Sequence, residues 1–182
     1  MARLGPEDWI HAALRRLGRD GVEQVRVEVL AKDLGVSKGS FYWHFADRPA
    51  LLQAALDTWA QEATQAIIDE VEASDPAPAA RLWALMRRVF GTPTGVDLLE
   101  TALRAWATRD EAAQAAVRRV DQRRTKYVQG ILQELGHPAP EARRRATLLY
   151  RVLMGEFMLR SYGTRAMSSA QLEAFHATLV AP

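Results

Sequence analysis

The sequence predicts an all-α protein of about nine helices. Apolar residues recur three and four apart through most of the 182 residues, and no alternating apolar and polar run is long enough to make a strand. Glycine and proline clusters cut that period into lengths typical of single helices.

Taken in order, the first helix is expected over 6–17, with Pro6 in its first turn, Ile10, Leu14 and Leu17 facing inward, and Gly18 and Gly21 as stop signals. A second covers 27–34. Gly35, Val36 and Ser37 interrupt the period there: glycine readily takes a left-handed turn, and serine caps the amides that follow. The third helix is short, 38–45. Asp47 caps a fourth, with Arg48 and Pro49 in its first turn and Leu52, Leu56, Trp59, Ala63 and Ile67 on one face as far as Val71. Two prolines among small residues at 73–78 mark a linker. Beyond it, helices are expected over 79–90, 96–108, 111–135, 140–162 and 168–180, with breaks at 91–93, 109–110, 136–138 and 163–164. Two domains follow: a helix-turn-helix unit at 1–48 and a larger helical region at 49–182, connected by the fourth helix at 49–71.

Composition removes several function classes. At 48% apolar and 25% charged, the chain suits a globular protein with a sizeable core. Cysteine is absent, which excludes disulfides, thiolate metal sites and cysteine nucleophiles and agrees with a cytoplasmic location. No apolar run reaches the length of a membrane span. Net charge is only +2, so any nucleic-acid contact must come from placement rather than bulk charge. All 24 basic side chains except Lys32, Lys38 and Lys126 are arginines, planar donors suited to carboxylates and phosphates.

The informative segment is 27–48, VEVLAKDLGVSKGSFYWHFADR. A two-turn helix, a tight glycine turn and a second short helix is the spacing of helix-turn-helix DNA readers, although the same spacing also occurs as plain packing. Leu30, Ala31 and Leu34 are placed to meet Val36, Phe41 and Phe45, which leaves Lys38, Gly39, Ser40, Tyr42, Trp43 and His44 outward or flanking. Two large aromatics are costly to expose without use, whereas base edges, thymine methyls and phosphates accept such groups.

The stretch GVSKGSFYWHFADRPALLQAAL resembles the DNA-binding signature of the TetR family of bacterial transcriptional regulators, including the Tyr-Trp-His triplet and the basic Arg48 opening the next helix. The resemblance covers about residues 7–56. It implies a homodimeric regulator, a repressor of a palindromic operator in double-stranded DNA, released when a small molecule binds its larger domain. It further implies that Ser37 and Lys38 lie near the DNA backbone, Gly39 permits close approach, Ser40, Tyr42 and Trp43 touch bases or sugars, and His44 and Arg48 hold phosphates. Two positions depart from the family: Arg26 stands where a capping Thr is usual, and Glu28 where a DNA-contacting basic residue is common. Glu28 opposes phosphate, so that contact is not expected from it.

Nothing in the sequence competes strongly with this reading. His11, His44, His137 and His176 lack metal-ligand spacing, no cofactor is implied, and no catalytic motif occurs. Arg118, Arg119, Arg123, Arg124 and Lys126, and Arg143, Arg144 and Arg145, are expected on solvated faces. Trp59, Trp83, Met86, Phe90, Leu103, Trp106, Tyr127, Tyr150 and Met154 are core candidates that, with the family resemblance, are also candidates to line a ligand cavity. Leu149, Val152, Leu153, Phe157, Leu172, Phe175 and Leu179 on the last two helices are the candidate dimer interface. The alternative from another class is a helical ligand-binding or scaffold protein that does not bind DNA.

Overall fold

Caps written into the sequence set where the helices begin and end. A computed structural model describes residues 4–74, 77–91 and 96–182. Helix α1 (Pro6–Asp20) begins on a proline, with the Asp8 carboxylate accepting the Gly5 amide at 2.7 Å, and stops at Gly21, whose φ of +83° suits glycine. A short 3₁₀ turn (Val22–Gln24) leads into α2 (Val27–Leu34), α3 (Lys38–Tyr42) and α4 (Arg48–Ala60). Asp47 caps α4 by accepting the Ala50 amide at 2.8 Å. The remaining helices are α5 (Ala66–Ser74), α6 (Pro78–Phe90), α7 (Val96–Ala107), α8 (Glu111–Glu134), α9 (Ala139–Ser161) and α10 (Ser169–Val180). The fold is all-α, and among the described residues no strand occurs.

Three expectations change. The first helix runs a turn further, because Gly18 is helical; its role is close approach, since a Cβ there would sit 3.2 Å from the Leu99 Cα. The third helix ends three residues early, at Tyr42. The fourth arrives as α4 and α5 joined by a π-helical turn, Gln61–Gln65. Arg124 serves that turn, donating to the Ala63 carbonyl at 3.0 Å and to the buried Thr64 hydroxyl at 3.1 Å, rather than standing in solvent. Positions 75–76 of the expected linker and 92–93 of the expected break lie outside the described residues.

The chain divides into two units, Met1–Gln61 with Leu98–Val117, and Glu62–Asp97 with Arg118–Pro182. Within the first unit α4 packs on α1: Leu51, Ala55, Leu56 and Trp59 are buried with Trp9, Ala13, Leu14 and Leu17. Leu14 and Leu17 are buried as expected, but Trp9, fully buried, heads the inward stripe in place of the half-buried Ile10. In the same unit Glu100, 1% exposed, accepts the Trp59 indole N–H at 3.3 Å and pairs with Arg104, which satisfies a charge otherwise expensive to bury.

The second unit has its own core, and most of the residues expected at a dimer interface are part of it. Leu149, Leu153, Phe157, Leu172 and Leu179 are buried there with Leu82, Met86 and Phe90, and Val152 and Phe175 pack against them. The apolar face of α9 and α10 is used within the protomer because α6 lies against both helices. Arg160 ties this unit together: it pairs with Asp97 at 2.7 Å, both nearly inaccessible, and donates to the Phe90 and Gly91 carbonyls that end α6. Arg145 is likewise not a solvated residue, since it bonds Glu141 and the Leu179 and Ala181 carbonyls at the end of α10.

Candidate nucleic-acid interface

The turn between α2 and α3 is closed by two backbone bonds, Val36 N–H to the Ala31 carbonyl at 3.0 Å and Gly35 N–H to the Lys32 carbonyl at 3.2 Å. This pattern needs a left-handed residue, and Gly35 supplies it at φ +69°, ψ +31°. Ser37 is extended and precedes α3 without making a side-chain cap bond. Phe41 anchors the short helix from inside. Completely buried, it meets Trp9 edge-on at 5.3 Å between ring centres and stacks on Phe45 at 5.6 Å.

With Phe41 fixed inward, helical geometry turns its neighbours out. Tyr42 is 63% exposed, and Trp43, at 83%, is the most exposed large apolar side chain among the described residues. Ser37, Lys38 and Gly39 are exposed beside them, and Ser40 is half-buried. A Cβ added at Gly39 would meet only the Ser37 hydroxyl, at 3.6 Å, so nothing inside the protein requires glycine at that position.

Two expected phosphate ligands are engaged within the chain. The His44 ring bonds the Leu4 carbonyl at 3.1 Å. Arg48 donates through Nε to the Val25 carbonyl at 2.6 Å and through Nη2 to the Val22 carbonyl at 2.7 Å, bracing the stretch ahead of α2. Their recognisable signal is position alone, which does not tell a phosphate clamp from an internal brace. Glu28 shows a partner that sequence reading missed: its carboxylate takes the Lys38 ammonium at 2.7 Å. That hydrogen bond, with a lesser contribution from its own amide, holds Glu28 below its ordinary pKa.

The ligand candidates fall in both units. Trp59, Leu103 and Trp106 are buried in the first unit. In the second, Met86 and Phe90 are core, Trp83 and Met154 pack against it, and the Tyr127 and Tyr150 hydroxyls donate to Glu72 and Asp121. Tyr127 lines an open groove of about 390 Å³, with Gln65, Ile68, Arg123, Lys126 and Gly130 along its walls. Burial pushes the Tyr127 hydroxyl pKa up, reinforced by Glu72, so it remains a donor. Among the described residues no cluster of His, Asp or Glu has the makings of a metal site.

A buried aromatic anchor, a glycine-closed turn and an outward-facing aromatic pair define a helix-turn-helix protein. Comparison with known proteins narrows the class. Residues 10–55 match the family model "Bacterial regulatory proteins, tetR family". Over 62 residues the chain is 39% identical to the class A tetracycline repressor from transposon 1721 of Escherichia coli, covering 34% of this chain and 29% of that protein. Over 54 residues it is 41% identical to the class D tetracycline repressor of Escherichia coli, covering 30% and 25%. The matched segment thus spans less than a third of those relatives. The helix-turn-helix segment, residues 10–55, is thus similar to that of TetR-family regulators.

Solved structures share the fold along nearly the whole chain. A transcriptional regulator from Rhodococcus sp. Rha1 superposes with a TM-score of 0.77 at 22% identity, covering 97% of this chain and 94% of that one. A TetR transcriptional regulator from Legionella pneumophila gives 0.77 at 13% identity, covering 98% and 96%. A transcriptional regulator from Saccharomonospora viridis, in complex with choline, gives 0.76 at 18% identity, covering 96% and 92%.

Proposed function

We propose that this protein is a transcriptional regulator that, as a homodimer, reads a palindromic operator through α3 and leaves it when a small molecule binds the second unit. The observation that carries the reading is the outward pair Tyr42 and Trp43 on a turn whose inner face is held by Phe41. Exposing that much aromatic surface disfavours the free protein, and burial against bases and sugars removes the penalty. Residues Ser37 to Ser40 offer hydroxyls, one ammonium and a side-chain-free position beside it, a set suited to the DNA backbone.

A ligand-responsive second unit is supported by the groove at Tyr127, which borders the π turn through Gln65. The choline complex of the Saccharomonospora viridis protein supports the view that this fold admits small organic ligands. The π turn leads directly into α4 in the reverse chain direction, and irregular turns of this kind are frequent where helices adjust in function.

The test is selection of bound fragments from genomic DNA, followed by gel shifts with Tyr42→Ala. The variant should lose at least about fivefold in operator affinity while its thermal melt stays at the wild-type temperature. Equal affinity in variant and wild type removes α3 from the interface, and failure of the wild type to select any duplex favours the scaffold alternative.

A further inference from the structure

The strongest unexplained feature lies beside the proposed reading head. Lys38 opens α3 and Glu28 stands in the first turn of α2, ten residues earlier, and their side chains meet at 2.7 Å. Both remain more than half exposed, at 56% and 59%, so the pair sits in water on the surface and adds little to folding. It nevertheless fixes the one cationic side chain of α3. The groups expected from sequence as further phosphate ligands are engaged elsewhere, Arg48 with the Val22 and Val25 carbonyls and His44 with the Leu4 carbonyl, and nearby Arg26 bonds the Gln24 side chain.

We infer that Glu28 is a specificity-determining residue that occupies Lys38 in the free protein, so that a DNA phosphate must displace a carboxylate before Lys38 engages it. This inference rests on the DNA-binding reading above. A carboxylate and a phosphate oxygen compete for the same ammonium protons. Phosphate contacts hold a protein to any sequence, so a device that makes such a contact conditional lowers affinity for random duplex. At the operator, base contacts from Tyr42 and Trp43 bring a phosphate to Lys38 in fixed register and offset the lost pair. Glu28 thereby widens the gap between specific and non-specific binding while touching no base.

The experiment compares wild type, Glu28→Gln, Glu28→Lys, Lys38→Met and the double variant Glu28→Gln/Lys38→Met, using random duplex and the selected operator across a salt series. Folding is checked by the melt. Glu28→Gln should raise affinity for random duplex by up to about fivefold. Its log–log salt dependence should steepen by about 0.9, one phosphate's worth of released counterion, and Glu28→Lys should go further in both. Operator affinity should rise less, so the specificity ratio falls. Lys38→Met should be nearly silent on random duplex in the wild-type background and costly in the Glu28→Gln background. Equal salt slopes for wild type and Glu28→Gln, or an equal cost of Lys38→Met in both backgrounds, overturns the role of Glu28 while leaving DNA binding intact. Absence of duplex affinity at low salt in wild type and both Glu28 variants overturns the DNA-binding reading itself.

Discussion

Gly39 and Arg48 make opposite cases about the same surface. Arg48 stands where a phosphate clamp is expected, yet both of its bonded nitrogens serve carbonyls of the preceding turn. Removing it takes a charged donor from two carbonyls next to the core, of which the Val22 carbonyl keeps the Val25 N–H. Hydrogen bonds from a charged donor contribute about 1.5–3 kcal/mol, so Arg48→Ala should lower stability by about 2 kcal/mol in denaturant melts. The salt slope of DNA binding should stay at the wild-type value; a drop of about one with an unchanged melt would return Arg48 to the phosphate ligands. Gly39 is the reverse. Its missing side chain leaves only an ordinary contact with Ser37, and alanine is the better helix former by about 0.5–1 kcal/mol. Gly39→Ala should melt at or above the wild-type temperature and still lose operator affinity if α3 approaches the duplex as proposed. Undiminished binding by Gly39→Ala would mean that α3 does not lie close to DNA.

At the scale of elements, most helices were legible because capping and hydrophobic period are local. Asp47, Gly35, Gly21 and the Ser168–Gln171 box mark ends that the backbone honours. The π turn was not legible. QEATQ holds neither glycine nor proline, and its signature is the buried pair Trp59 and Thr64, five residues apart, where a polar residue hides the period. The inward Phe41 and outward Tyr42 and Trp43 followed from the helical spacing that sets Phe41 and Phe45 against Leu30, Ala31 and Leu34. The internal engagement of Arg48, Arg124 and Arg145 did not, since a long side chain reaches either solvent or a distant carbonyl from the same position. Arg145 joins two elements, holding the last carbonyls of α10 while its Nε takes Glu141 in the first turn of α9. Arg145 and then Arg144 keep the Glu141 carboxyl below its ordinary value of 4.5. A lowered folded-state pKa stabilises the protein above the unfolded value, and the contribution disappears as pH falls through the folded one. The melting temperature should therefore be level above about pH 5 and decline below about pH 4. Glu141→Gln should start lower at neutral pH and decline less steeply; parallel curves for the two proteins would exclude Glu141 from the acid transition.

For the whole molecule, the placement of Leu149 and Phe157 inside the protomer changes what a dimer uses. These residues hold the second unit together, so Leu149→Arg should abolish folding rather than produce a folded monomer. The face of α9 left to solvent carries Leu148, Met158, Leu159 and Tyr162, each between 41% and 65% exposed, with the exposed Gly155 among them. Positions 148, 155, 159 and 162 follow one another by seven, four and three residues, a single stripe along the helix. A Cβ at Gly155 would meet nothing within 4 Å, which leaves room for another backbone to come near. A stripe of this kind is self-complementary about a two-fold axis, and a regulator reading both halves of a palindrome needs that symmetry. Leu159→Arg puts a charge at the centre of the stripe and touches little of the protomer's core. It should sediment as a folded monomer and bind a full operator no better than a half-site, because the gain from two linked reading heads is gone. Should Leu159→Arg sediment as a dimer with full operator affinity, the two-fold contact lies on another face of the protein.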